Sequence, residues 1–318
     1  MLVKTVQKRT LRPGVGDPRT SGPKAWATAL GVMAIVLWSA LALLTRSSES
    51  VPPFELLFLT FAVAFASSVP VLAFRGRKTF SAWKQPKSAW IFSFSGIFVY
   101  HALYFYALSR APAAKASLIA YLWPMLMVLF SAVMDRSTML PRHFVGATSG
   151  FIGSAFVILD RTQSPVDEGH VDGYLAAAGC AIVWAAYSVL NRRFRNIPSD
   201  MIGGVCGLVA VAGLLVHLMA EPTVPPTASA WVSIVLLGLG PAGAAFFAWD
   251  YATKHGHVPI LGALSYFAPL LSTLLLVVAG STSASPGLVT AALLIVAGAT
   301  VASFKRDRGR SLSPEPER

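Results

Sequence analysis

The chain has 318 residues, of which 55% are hydrophobic and only 13% are charged, and its formal net charge is +12. Soluble domains carry roughly 25% charged residues, so this composition excludes an ordinary water-soluble protein. The positive charge does not indicate a nucleic-acid partner, because the basic residues stand in short segments between apolar runs. We therefore expect a chain that lies mostly in membrane lipid and binds no nucleic acid.

Long apolar runs bounded by charge, proline and glycine predict an all-α polytopic membrane protein with ten transmembrane helices, because one crossing needs roughly 20 apolar residues. The basic segment 1–24 and the charged segment 304–318 are predicted to be flexible tails. The predicted spans are 25–45, 53–74, 88–108, 114–134, 143–159, 173–192, 200–219, 229–253, 259–280 and 286–303.

The distribution of lysine and arginine predicts the orientation of these spans. If the N-terminus is cytoplasmic, 22 of the 26 basic residues lie on the cytoplasmic side. Cytoplasmic loops carry the excess of basic residues in membrane proteins, so both termini are predicted to be cytoplasmic. The four basic residues on the outer side are Arg46, Arg110, Lys115 and Arg161.

The sequence contains an internal repeat. The segment Tyr121-Leu122-Trp123-Pro124 is echoed 145 residues later by Tyr266-Phe267-Ala268-Pro269. We therefore predict that the five helices of 25–159 are repeated by the five helices of 173–303. An odd number of spans in each half inverts the second half, which is the organisation of many alternating-access transporters.

The repeated prolines indicate a binding site between the halves. Pro124 and Pro269 fall near the middle of the fourth and ninth spans, where a proline bends the helix and frees a carbonyl. Interrupted helices in corresponding positions of two repeats mark substrate sites in transporters. An ordinary packing kink is the alternative.

Aromatic and polar side chains within the spans are the other candidates for the site. Tyr100, His101 and Tyr104 share one face of the third span, and Trp184, Tyr187 and Asn191 form a stripe on the sixth. Aromatic rings suit a flat amphipathic ligand, although each ring could serve helix packing alone. The predicted substrate-binding residues are Trp38, Tyr100, His101, Tyr104, Tyr121, Trp123, Pro124, Trp184, Tyr187, Tyr266 and Pro269.

Charged groups in the spans are few. Asp250 lies four residues before Lys254, which favours a surface ion pair, and Glu55 and Lys115 lie at outer span ends, where charged side chains ordinarily reach water. Lys115 could alternatively attract a substrate carboxylate. No metal or cofactor site is expected, and Cys180 and Cys206 are predicted to be buried small residues.

The stretch Gly238-Leu239-Gly240-Pro241-Ala242-Gly243 matches the spacing of a dinucleotide-binding motif. It lies inside an apolar run and follows no strand, so that function is rejected. The small residues and Pro241 predict close helix packing and a kink instead.

The segments AIVLWS, YLWP, IVWAAYSVLNRRF and WDYATKHGHVPILGALSYFAPLLS resemble the drug/metabolite transporter superfamily, and most closely the EamA-type bacterial aromatic amino acid exporters. The resemblance covers 25–303. It implies export of aromatic or hydrophobic amino acids across the bacterial inner membrane, through a central cavity that opens alternately to each side. It also implies that Tyr121, Trp123 and Pro124 lie at that cavity, with Trp184 and Tyr266 as neighbours.

The leading hypothesis is therefore an amino acid exporter that works without a cofactor, with a monomer as a plausible state. One alternative keeps the fold and changes the cargo to another amphipathic metabolite or drug-like compound. A membrane enzyme is a further alternative, although no nucleophile–base pair or metal motif supports it. A non-transporting receptor would leave the inverted repeat without a role.

Overall fold

The structure is a computed structural model that describes residues 21–45, 48, 50–135, 144–146, 148–153, 171–280, 290, 293–294 and 296–298. All regular secondary structure in these ranges is helical. The helices are α1 Ser21–Ser39, α2 Leu41–Thr45, α3 Pro53–Phe74, α4 Lys87–Arg110, α5 Ala113–Ala120, α6 Trp123–Asp135, α7 Phe144–Gly153, α8 Val171–Leu190, α9 Met201–Ala220, α10 Ala228–Leu239, α11 Ala245–His255, α12 Val258–Leu264 and α13 Phe267–Val278. A π-helix at Gly240–Ala244 joins α10 to α11, and 3₁₀-helices occupy Arg77–Trp83 and Asn191–Phe194.

The surface of the helix bundle is apolar. Eight helical segments in the described ranges are long and apolar enough to cross a membrane, and α7 is a shorter apolar helix. Large side chains such as Phe74, Met219 and Val278 are at least 85% exposed, which a water-soluble protein avoids on this scale. The protein is therefore a multi-pass membrane protein.

Eight of the predicted spans coincide with these eight segments. The predicted fifth and tenth spans lie only partly within the described residues, as does the predicted tail 1–24. Helix α1 begins at Ser21, so the last residues of that predicted tail are helical. The predicted tail 304–318 lies outside the described residues.

Two of the crossings are interrupted at corresponding places. Helix α5 ends at Ala120 and α6 begins at Trp123, because Pro124 has no N–H to donate to the carbonyl of Ala120. Helix α12 ends at Leu264 and α13 begins at Phe267, again just before a proline. The sequence predicted a bend at each of these prolines, and the structure has a break there.

The same 145-residue spacing recurs elsewhere in the structure. Helix α4 ends at Arg110 and α11 ends at His255. The hydroxyl of Ser149 donates a hydrogen bond of 3.1 Å to the carbonyl of Leu294, which is 145 residues further along the chain. Equivalent positions of the two halves therefore meet at one contact.

The two halves pack through matched pairs of helices. Helix α3 packs against α9, α1 against α11, and α4 against α8. We call the end of the bundle with loops 75–86 and 191–200 the basic end, and the end with loops 111–112 and 221–227 the opposite end. At the basic end the guanidinium of Arg75 lies 2.7 Å from the carboxylate of Asp200.

Glu221 closes the opposite end of the α3–α9 pair. Its carboxylate accepts hydrogen bonds from the N–H groups of Phe54 and Glu55 at 3.1–3.2 Å and so caps α3 from the other half of the protein. Glu55 in turn accepts the N–H of Val224 at 3.0 Å, and His217 lies 3.0 Å from Glu221. Glu55 is only 5% exposed, so the expectation that it reaches water is wrong. It is held inside by its partners.

The glycine-rich stretch 238–243 is a packing surface with a widened turn. A Cβ atom on Gly238 would lie 2.5 Å from the side chain of Val63, so α10 and α3 approach as closely as a glycine permits. Pro241 lies in the π-helix, where the normal helical hydrogen bonds are broken. The predicted close packing is present, and the helix changes from α to π geometry at Gly240–Ala244.

Candidate functional site

A cluster of aromatic rings fills the centre of the bundle. The indole of Trp184 on α8 is its hub, with ring centroids 5.7 Å from Trp38, 6.4 Å from Trp123, 5.1 Å from Tyr100 and 5.3 Å from Tyr187. The rings meet mostly edge-to-face or tilted, arrangements that the quadrupoles of aromatic rings favour.

Both halves of the chain contribute to this central ring cluster. Helices α1, α3, α4 and α6 of the first half supply some rings, and α8 and α11 of the second half supply the others. Its members are Trp38, Phe61, Tyr100, His101, Tyr104, Phe105, Trp123, Trp184, Tyr187, Phe246 and Trp249. Seven of the eleven predicted site residues therefore lie together.

Two indole N–H groups in the cluster have defined partners. Trp38 donates to the carbonyl of Pro241 at 3.1 Å, and Trp249 donates to the hydroxyl of Ser188 at 3.1 Å. A buried indole needs such a partner. The first bond fixes the Trp38 ring of α1 against the π-helix, and the second fixes the Trp249 ring of α11 against α8.

The predicted face of α4 borders the more accessible side of the cluster. Tyr100, His101 and Tyr104 are half-buried, whereas Trp123 and Trp184 are buried. The Nδ1–H of His101 donates to the carbonyl of Ile97 at 2.7 Å, so Nε2 is the nitrogen that can accept a hydrogen bond. This face thus offers rings together with polar groups.

Tyr121 marks the break between α5 and α6. Its N–H donates to the carbonyl of Ser117 at 2.9 Å, and the hydroxyl of Ser117 lies 3.1 Å from that of Tyr104. Tyr121 is half-buried beside the α4 face, while Pro124 is buried at the start of α6. A Cβ on Gly262 would lie 2.9 Å from the carbonyl oxygen of Pro124, so α12 touches the bend directly.

Tyr266 and Pro269 lie apart from the central ring cluster. Tyr266 is fully buried in a separate apolar group with Val128 and Leu270, and its ring fills the space that a side chain on Gly150 would need. Pro269 is buried in the first turn of α13. The repeat predicted both residues at the site, but Tyr266 packs against α6 and α7 instead.

Phe246 and Trp249 are members of the cluster that the sequence reasoning did not select. Trp249 is fully buried, with its ring 5.1 Å from that of Trp38. Phe246 lies three residues earlier and contacts Trp38, Phe61 and Trp184. The three-residue spacing was the signal that placed both on one face of α11.

Asp250 and Lys254 do not form the predicted surface ion pair. The ammonium of Lys254 lies 2.7 Å from the carboxylate of Asp250, but the two side chains are 1% and 0% exposed. The pair is buried because the chain that follows α8 covers it: Asn191 donates to Asp250, and Lys254 donates to the carbonyl of Ile197. Cys180 and Cys206 are buried and free, as predicted.

The sequence profile of the EamA-like transporter family matches residues 25–159 and again residues 171–304. The chain belongs to the EamA-like transporter family. Membership makes the protein a transporter. The two matched segments correspond to the two halves that the 145-residue repeat predicted.

Similar proteins and a solved structure extend this result. The chain is 46% identical over 263 residues to the aromatic amino acid exporter YddG of Ancylobacter novellus, covering 82% of this chain and 91% of the relative. It is 27% identical to the Escherichia coli protein of the same name, with 81% and 90% covered. A solved crystal structure matches with a TM-score of 0.85 and 45% identity, covering 88% of this chain and 97% of the other.

Proposed function

We propose that the protein exports aromatic and other hydrophobic amino acids from the cytoplasm across the bacterial inner membrane. The central ring cluster carries this proposal, because rings from both halves of the chain meet around Trp184 deep in the bundle. Each ring-on-ring contact with an aromatic substrate contributes roughly 0.5–1.5 kcal/mol beyond the buried area. The names of the similar proteins describe the same cargo.

The proposed mechanism is alternating access by two inverted five-helix repeats, ten spans in all. Helix α6 packs against α12 at the basic end, whereas their counterparts α5 and α13 at the opposite end make no comparable contact within the described residues. Two equivalent interfaces in different states are what a rocking pair of repeats requires. We assign this arrangement to a state that is closed at the basic end, in which the half-buried Tyr100, His101, Tyr104 and Tyr121 would face the opposite end.

The predicted orientation places the basic end in the cytoplasm. Arg75, Lys84, Lys87 and Lys254 lie at this end, as does the basic turn after α8. We expect reporter fusions to both termini to show cytoplasmic activity: green fluorescent protein should fluoresce there, and alkaline phosphatase should be inactive. An active phosphatase fused to either terminus would contradict the proposed topology.

A transport assay with purified protein tests the cargo. Proteoliposomes loaded with unlabelled phenylalanine should accumulate radiolabelled phenylalanine and tryptophan by counterflow, and protein-free liposomes should not. The acidic amino acid glutamate serves as the negative control, because it has no aromatic ring to stack against the ring cluster. Counterflow of a different amphipathic compound, with none of phenylalanine or tryptophan, would reassign the substrate while keeping the fold and family.

A further inference from the structure

A polar group of residues lies at the basic end of the ring cluster, inside the apolar core. It consists of Asn191, Asp250, Thr253 and Lys254, each at most 5% exposed. The amide of Asn191 donates to the Asp250 carboxylate at 3.0 Å and to the Thr253 hydroxyl at 2.9 Å. We call these four residues the polar node.

The polar node continues the aromatic track. Trp184, Tyr187 and Asn191 follow one another at three- and four-residue steps along α8 and the turn after it, so they share a face. On α11, Asp250 follows Trp249 directly, and the Trp249 indole is bonded to Ser188 of α8. A ligand that moves between the basic end and the ring cluster along this face meets the polar node first.

The repeat itself does not require these charges. The residues 145 positions before Asp250 and Lys254 are Phe105 and Ser109, so the corresponding place at the opposite end has no ion pair. Burying two charges costs several kcal/mol per ion before pairing, and apolar residues would often be as stable. Because the repeat does not supply this ion pair, its burial beside the ring cluster indicates a use at the basic end.

The polar node also has hydrogen-bonding capacity that it does not use internally. The Oδ1 atom of Asn191 is buried and has no donor among the described residues. The hydrogen bonds of the Lys254 ammonium in the structure go to Asp250 and to the carbonyl of Ile197, while an ammonium has three protons to donate. An acceptor and a donor of this kind lie on either side of the Asp250 carboxylate.

We propose that the polar node is the site that recognises the charged head group of the amino acid at the cytoplasmic mouth. Lys254 binds the substrate carboxylate, and Asp250 together with the Oδ1 of Asn191 binds the substrate ammonium. This assignment rests on the proposed function. The two groups of a zwitterion exchange one buried ion pair for two complementary ones, so no charge is left uncompensated in the apolar core.

The ring cluster explains why such a site is needed. Among its members only the His101 imidazole ordinarily titrates near neutral pH, and one such group cannot neutralise both groups of a zwitterion. The rings therefore select the side chain of the substrate, and the polar node selects its head group. A zwitterionic amino acid satisfies both, whereas an aromatic amine or an aromatic acid satisfies the node only in part.

Charge-specific variants test this assignment in proteoliposomes. Phenylalanine, phenylethylamine and phenylpropionate are compared as competitors of labelled phenylalanine counterflow. Lys254→Met removes the partner of the carboxylate, so the preference for phenylalanine over phenylethylamine should fall by about tenfold or more. Asp250→Asn removes the partner of the ammonium, so the preference over phenylpropionate should fall instead. A loosened helix contact would change both preferences together, so it cannot make each variant lose a different one.

The double variant Asp250→Asn/Lys254→Met keeps the test decisive if a single variant does not fold, because it buries no unpaired charge. It should lose the preference for phenylalanine over both analogues. The matched control is Arg75→Met/Asp200→Asn, an ion pair at the same end but off the aromatic track, which should leave all preferences unchanged.

Unchanged preferences in folded Asp250 and Lys254 variants, or an equal loss for all three compounds, would overturn the head-group site while leaving the proposed function standing. Failure of the unmodified protein to move phenylalanine would instead overturn the proposed function.

Discussion

Replacing Trp184 by alanine should lower kcat/KM for phenylalanine counterflow by about 100-fold, while Trp184→Phe should retain part of the activity. Trp184 contacts Trp38, Tyr100, Trp123 and Trp249, and its ring is the common neighbour of both halves. A substrate bound among these rings would lose its own contact with the Trp184 indole, and a loss of about 3 kcal/mol in ring contact and buried area corresponds to a factor of about 100.

The same substitution also removes packing, so stability has to be measured beside transport. A Trp→Ala change in a core costs about 3–5 kcal/mol of unfolding free energy, and the melting temperature in detergent should fall. Trp231→Ala is the matched control, because Trp231 is 44% exposed on the apolar surface and should change neither quantity much. Normal transport by a folded Trp184→Ala protein would remove the ring cluster from the substrate path.

The long crossings followed from the sequence because hydrocarbon imposes a length and a composition on each of them. Helix α3 has the predicted bounds of 53–74, and α4, at Lys87–Arg110, differs from its prediction by one residue at its start and two at its end. Pro124 and Pro269 predicted two bends in corresponding places, because a proline lacks the N–H that continues a helix, and the structure has a break at each.

Contacts between distant segments could not be predicted from local patterns. Asp250 and Lys254 have the spacing of an ordinary surface pair, and only the packing of Asn191 and Ile197 over them shows that they are buried. Glu55 was expected to reach water for a similar reason, since its partner Val224 lies 169 residues away. In both cases the burial of a charge is decided by groups that the local sequence does not contain.

The candidate site was predictable in part. Aromatic residues at helical spacing on α4 and α8 identified Tyr100, Tyr104, Trp184 and Tyr187, which the structure brings together. The repeat also suggested Tyr266 by analogy with Tyr121, but the structure puts its ring against Gly150 of α7. The environment of Tyr266 is decided by its packing against α7, so the repeat in the sequence could not decide this position.

Gly262→Val should block the transport cycle by preventing closure at the basic end. A Cβ at position 262 would lie 2.9 Å from the backbone oxygen of Pro124 and 3.2 Å from the side chain of Val128, so α12 would have to move away from α6. Overpacking of this kind costs about 1–3 kcal/mol, enough to shift a two-state equilibrium by about 10–100-fold. Transport should fall by at least about tenfold while the folded protein remains in the membrane.

Accessibility of Met127 reports the same change directly, because its side chain is fully buried and a Cβ on Gly262 would lie 3.5 Å from it. In a background carrying Cys180→Ala and Cys206→Ala, Met127→Cys should react with a thiol reagent several-fold faster when Gly262→Val is present. Gly179→Ala is the matched control, since the nearest atom to its Cβ is at an ordinary 3.4 Å. Slow labelling and normal counterflow in the Gly262→Val protein would mean that transport does not require α6 and α12 to come together. A valine at position 262 would separate these helices, so a cycle that depends on their contact could not run normally.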